Sequence, residues 1–326
     1  MHPAFSVILL TTLLGAGQGL FLALFTAQFF ALFDLLPQQD SRSFYAAGSL
    51  TALLLLAVGL GASFFHLGRP ERAWRSVAQW RTSWLSRETI VLPAFMALVF
   101  LYGAAHWAGW KPVAATLPSG IAIDATLVLG LLGTVLAFLL FLCTAMIYAC
   151  LPFLREWHSP LTVLNYTLLG GSSGFTLATA FAACTDSGLG RFFATWAIIL
   201  TVAAFVSRGA SLLRNARLKP RSSPQTAIGI KHARIVQTSH GSTGGTFNTR
   251  EFFHGRTRLF LRSIKWLFLV ATFAAPIPLL AAAMPGPAPA IALLAFIIQY
   301  AGLLAERWYF FAEANHPQNL YYQAIA

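Results

Sequence analysis

Residues 44–70 read FYAAGSLTALLLLAVGLGASFFHLGRP. From Phe44 to Phe65 no side chain is charged, and about 20 apolar residues are enough for a helix to cross the hydrocarbon layer. The run then ends abruptly on His66, Gly68, Arg69 and Pro70, followed by Arg72, Arg75, Arg81, Arg87 and Glu88. This puts a titratable ring at a membrane boundary. A histidine able to carry a proton, a helix end with unpaired carbonyls and arginines facing water are what a lipid-soluble carrier of protons and electrons needs from its protein.

The rest of the chain has the same character. Of its 326 residues 57% are hydrophobic and 10% charged, with a mean hydropathy of +0.67. Too little polar surface remains to cover a soluble globule. A net charge of +12 in a soluble protein would point to nucleic acid. Here the cations lie between apolar runs, so they report topology and no nucleic-acid partner is expected. Cys143, Cys150 and Cys184 show no Cys-x-x-Cys spacing and read as small core residues, supporting neither disulfides nor a metal or iron-sulfur site. The apolar run from Phe5 reads as a retained helix, since it is long and has no basic start.

Eight segments are long enough to span: 5–33, 44–66, 88–108, 123–151, 161–183, 191–213, 260–283 and 289–311. The expected fold is all-α, a polytopic protein with eight transmembrane helices forming a single membrane domain over 1–326. Prolines punctuate the gaps, while Pro93, Pro276 and Pro278 fall inside helices and should kink them. An even number of spans puts both termini on one side. That side carries all of the 22 Lys and Arg except Arg42, Lys111 and Arg191, so the positive-inside rule predicts cytoplasmic termini in a bacterial inner membrane. Residues 214–259 form a long basic loop on the same side. It is expected either to lie on anionic headgroups or to dock a partner subunit. Gly241, Gly244 and Gly245 mark turns in it, and Phe247, Phe252 and Phe253 favour ordering against protein. The residues expected to dock the partner are Arg75, Arg81, Arg250, Phe252, Phe253 and Arg256.

Histidines do not pair at one depth inside the spans, so no haem is expected. Without haem, redox chemistry must sit at one face, close to an external donor. His66, Arg69, Arg72 and Glu88 all lie on the cytoplasmic side, with Gln18 somewhat deeper. Neutral imidazole can hand over a proton, a carboxylate can relay one from water, and arginine can stabilise developing negative charge. Plainer readings stand beside these. His66 can be an interfacial residue satisfied by a carbonyl, and Glu88 a helix-start acid with Ser86 as N-cap. Trp74, Trp80 and Trp84 can form an aromatic belt, with stacking of Trp84 on a quinone ring as the alternative. Glu306 and Arg307 read as an ion pair or as part of a pathway.

The segment His66-Leu67-Gly68-Arg69-Pro70, then Arg72-Ala73, then Leu85-Ser86-Arg87-Glu88 resembles the signature of the DMSO reductase membrane-anchor family, H-L-G-x-P, R-A and L-S-x-E at the same spacing. Gly17-Gln18-Gly19 and Trp157-His158-Ser159-Pro160 are also similar to it. The resemblance implies a haem-free, eight-helix anchor. Such an anchor holds an iron-sulfur electron-transfer subunit and a molybdopterin catalytic subunit, and exchanges electrons with ubiquinone or menaquinone. His66 and Glu88 are the matched quinone-site residues, with Arg69, Gln18, Arg72, Ser86 and Trp84 around them. The runs 247–255 and 306–314 look like those of anchors in cytoplasmic sulfite-oxidising enzymes, which agrees with the charge count and implies electron flow from sulfite to quinone. In this reading the chain itself holds no catalytic centre.

Two other classes remain. A secondary transporter would share kinked helices and intramembrane polar groups, but no inverted repeat or matched pair of interrupted helices is visible. A purely structural anchor would have the docking face and no quinone.

Overall fold

The computed structural model describes residues 1–116, 118, 122–220, 222–236, 238–239 and 247–322; the turn-marking Gly241, Gly244 and Gly245 lie outside them. Its eight spans are α1 Phe5–Leu32, α2 Ser41–His66, α3 Trp84–Ala108, α4 Ala125–Ala149, α5 Pro160–Cys184, α6 Gly190–Ala216, α7 Arg258–Ala282 and α8 Pro289–Glu313. The all-α polytopic fold read from the sequence is therefore the observed one. Its boundaries shift only where local hydrogen bonding decides them. Ser83, not Ser86, caps α3, its Oγ accepting the Ser86 N–H at 3.4 Å, so that helix starts a turn earlier than hydropathy places it. Between α3 and α4 a small antiparallel hairpin, β1 Val113–Thr116 with β2 Ala122–Asp124, was not anticipated. It delivers Asp124 as the N-cap of α4, accepting from the Leu127 N–H at 2.9 Å.

Helix α1 is the hub of the bundle, and three consecutive residues show how. Successive positions on a helix point about 100° apart, so Gly17, Gln18 and Gly19 face three different neighbours. Gly17 meets Ala52 and Leu56 of α2, and Gln18 donates from Nε2 to the Ala137 carbonyl of α4 at 2.8 Å. Gly19 meets Gly170 and Gly174 of α5 so closely that a Cβ there would overlap their backbone. Gly15 and Gly19 on α1 face Gly170 and Gly174 on α5, a small-xxx-small contact on both sides. In lipid, such contacts let backbones approach and gain dispersion energy. The aromatic core continues through Phe21, which packs edge-on against Phe95 and Tyr102 of α3 at 5.5 and 5.4 Å.

The internal prolines behave differently from one another. Pro93 leaves α3 a single helix, whereas α7 passes through a π-helical turn at Val270–Ala274 immediately before Pro276. A proline cannot bond the carbonyl four residues back, here that of Thr272. Gln299 of α8 recaptures that carbonyl, donating from Nε2 at 3.3 Å, and also donates to Thr201 Oγ1 of α6 at 3.1 Å.

Candidate functional site

The ends of α2, α4, α6 and α8 and the starts of α1, α3, α5 and α7 lie on one face, which carries most of the residues singled out from the sequence. Helix α2 closes with a 3-10 turn at Phe64–His66, leaving His66 exposed. A further 3-10 segment, Pro70–Gln79, runs along the surface. Its arginines are solvated: Arg69 is exposed, Arg72 pairs loosely with Glu71 at 3.9 Å, and Arg75 and Arg81 lie over Trp74 and Trp80. Arg87 stacks at 4.2 Å on Trp84, which is half-buried, and donates to the Trp80 and Arg81 carbonyls. Trp84 is thus engaged by a cation within the chain. Ser86 and Glu88, one turn further in, are buried at 3% and 6% exposure.

Glu88 is the chemically distinctive member of this group. Its Oε1 accepts a 2.5 Å hydrogen bond from Thr144 Oγ1 of α4, so this bond leads into the bundle. Thr144 in turn lines a small cavity of ≈ 20 Å³ open to a water's centre, shared with Gln18 and Thr12 of α1, Tyr166 and Ser173 of α5, and Arg307 of α8. Gln18 is therefore brought to the same interior seam as Glu88, while His66, Arg69 and Arg72 stay on the exposed rim.

The far wall of that cavity is charged. Glu306 is fully buried and stands between two guanidinium groups, with Arg208 Nε at 2.6 Å and Arg307 Nε at 2.7 Å. These are charge contacts without aligned hydrogen bonds, and Arg307 Nη1 has no partner among the described residues. Arg307 also sits 4.1 Å from the ring centre of Tyr166. Arg208 reaches Glu313 at 3.8 Å, whose Oε2 accepts from Asn215 Nδ2 at 3.2 Å near the surface. The sequence identified Glu306 and Arg307 but missed Thr144 and Arg208. A threonine in an apolar helix commonly bonds its own preceding turn, and nothing in the α4 sequence says that Thr144 does otherwise. Arg208 was counted only as a topology marker.

The loop before α7 folds back on the chain. Phe252 stacks on His316 at 3.8 Å, its carbonyl accepts from Asn319 Nδ2, and the Glu251 carbonyl accepts from the His2 N–H. Burial lowers the pKa of His316, keeping the stacked ring neutral. Phe253 is buried beside Tyr322. Both phenylalanines are thus used within the chain, while Arg250 and Arg256 are exposed. The Trp157–Pro160 stretch is likewise structural: Trp157 Nε1 donates to the Phe310 carbonyl at 2.9 Å, and Ser159 caps α5 with Pro160 in its first turn.

Eight helices long and apolar enough to cross a membrane, with a buried charged cluster joining α6 and α8, are the architecture of a multi-pass membrane protein. The chain belongs to the DMSO reductase anchor subunit (DmsC) family, which it matches over residues 1–312. It is also 58% identical to a sulfite dehydrogenase subunit of Allochromatium vinosum over 326 residues, the whole of both chains. It is a membrane anchor subunit homologous to that protein.

Proposed function

We propose that this chain is the quinone-reducing anchor of a sulfite-oxidising complex in a bacterial inner membrane. On this reading it receives electrons from an iron-sulfur subunit, itself fed by a molybdopterin subunit, and passes them to ubiquinone or menaquinone at the cationic, cytoplasmic face. The observation that carries the site is Glu88: a buried carboxylate near the start of α3, on the same face as the end of α2 that carries His66. An acidic group buried in a span is a functional-site candidate, because its desolvation is costly and it is rarely kept there for packing.

The residues fit a quinone headgroup. By their chemistry His66 and Glu88 can each hydrogen-bond a quinone oxygen, Arg69 and Arg72 supply positive charge, and α2 and α3 expose apolar side chains such as Leu54, Val58 and Phe100 on which the tail can lie. When bound, the quinone accepts electrons and protons; the chain orients it and handles the protons. Imidazole and carboxylate can each exchange a proton with a bound oxygen. The exposed Arg75, Arg81, Arg250 and Arg256 offer an acidic partner a docking surface, with Phe252 and Phe253 anchoring the loop that carries two of them. The naming of the relative as part of a sulfite dehydrogenase favours sulfite as the electron source.

The test uses the assembled complex. His66→Ala and Glu88→Gln are each expected to lower sulfite-to-quinone turnover by about 10²-fold or more, the usual contribution of a positioned acid or base. Turnover with a water-soluble artificial acceptor should persist. Wild-type quinone turnover in both variants would remove the site.

A further inference from the structure

Each two-electron reduction of a quinone forms two O–H bonds and needs two protons, the electrons coming from the partner subunit and the protons from water. Resting on the quinone reading above, the question is how those protons reach Glu88, which is only 6% exposed and whose hydrogen bond points away from the surface.

We propose that protons reach Glu88 through the interior of the bundle, from water held between Thr144 and Arg307 and replenished along the Glu306, Arg208 and Glu313 side chains. The cavity beside Thr144 has ≈ 20 Å³ for a water's centre. That is enough for one molecule, since about 10–15 Å³ suffices where two to four polar partners are present. The partners are there: Arg307 Nη1 has no aligned hydrogen-bond partner among the described residues, the Tyr166 hydroxyl lies beside the Arg307 side chain without an aligned bond, and Gln18 and Thr12 also line the space. A buried guanidinium nitrogen left unbonded is costly, and a water accepting from it removes that cost. The same water, donating to the free lone pair of Thr144 Oγ1, completes a hop. The hydroxyl passes its own proton to Glu88 as it takes one from the water, and the hydroxide left behind is carried out past the two guanidinium groups by exchange with water entering at the Glu313 end, so each transfer breaks one O–H bond and forms one.

Behind the cavity the charges continue without an apolar interruption to the surface. Arg307 and Arg208 share Glu306, Arg208 meets Glu313, and Glu313 meets Asn215. Arginine does not release its proton. The two guanidinium groups instead hold the carboxylates in line and orient the water. Thr144 is accordingly a positioning and relay residue, and the entry point is the side chain of Glu313, 17% exposed.

The experiment is sulfite-driven reduction of a short-chain ubiquinone by the assembled complex, in H₂O and in D₂O. Thr144→Val keeps the shape and removes the hydroxyl. It is expected to slow turnover at least about tenfold and to enlarge the solvent isotope effect. Affinity for a quinone-site inhibitor and artificial-acceptor activity should be unchanged, and Thr144→Ser should restore both rate and isotope effect. Glu313→Gln, at the far end, should show the same enlarged isotope effect, and it decides the matter if Thr144→Val fails to assemble. Wild-type rate and isotope effect in Thr144→Val, or in Glu313→Gln should the former not assemble, would overturn the interior route while leaving the quinone site standing. Failure of the wild-type complex to bind the inhibitor at all would instead sink the quinone reading.

Discussion

Glu306 touches two guanidinium groups, so its removal and theirs are not equivalent. Replacing it with glutamine leaves Arg307 without a counter-ion and Arg208 with only Glu313 at 3.8 Å. An uncompensated buried charge of this kind costs about 3–5 kcal/mol. Glu306→Gln is therefore expected to lower the thermal midpoint of the detergent-solubilised chain markedly. Replacing Arg208, Glu306 and Arg307 together with apolar residues of similar volume should recover much of the loss, because ion clusters in low dielectric repay little more than their own desolvation. A Glu306→Gln protein that melts like wild type would show the cluster to be hydrated. Residue-level legibility followed chemistry. Glu88, Glu306 and Arg307 stood out because charge is rare in apolar runs, whereas Thr144 and Gln299 did not, since which neighbour a neutral side chain bonds depends on helix packing absent from any local pattern.

Helix positions were readable because hydropathy over about 20 residues directly measures what lipid requires, and every span was found within a few residues. Helix pairing was not readable in the same way. The Gly17-Gln18-Gly19 triplet drew attention as a family-like motif, yet its visible role is packing: Gly17 against α2, Gly19 against α5. The β1–β2 hairpin carries no readable pattern because its strands are only four and three residues long, with β1 wholly exposed. The α1–α5 contact makes a sharp prediction. A Cβ at Gly174 would overlap the backbone of Gly19, so Gly174→Leu must push apart two helices at the centre of the bundle, and overpacking typically costs about 1–3 kcal/mol or more. Expected is a marked fall in the amount of protease-resistant chain in membranes. Gly209→Leu, at a helical glycine with nothing within 4 Å of the added carbon, should leave that amount unchanged. Equal loss in both would mean that leucine itself, and not the close approach, is at fault.

At the scale of the molecule, the asymmetry of charge is the organising fact. Among the described residues, Arg42, Lys111 and Arg191 are the only Lys or Arg on one face, while the others lie on the opposite face together with His66, Glu88 and the polar seam. Positive charge is retained on the cytoplasmic side during insertion, which would place the candidate site, the basic loop and any docked subunits in the cytoplasm. The chain carries its own reporter for this. Cys184 ends α5 on the sparsely charged face and is exposed, whereas Cys143 is buried and Cys150 half-buried. A membrane-impermeant thiol reagent added to spheroplasts should therefore modify native Cys184. In a Cys184→Ser background of the chain expressed without its partner subunits, Arg75→Cys, exposed on the opposite face, should react only once the membrane is opened. The reverse pattern would put the site outside the cell. A sulfite-oxidising partner in the cytoplasm would then have no face of this anchor to dock on, and the proposed direction of proton uptake would be reversed with it.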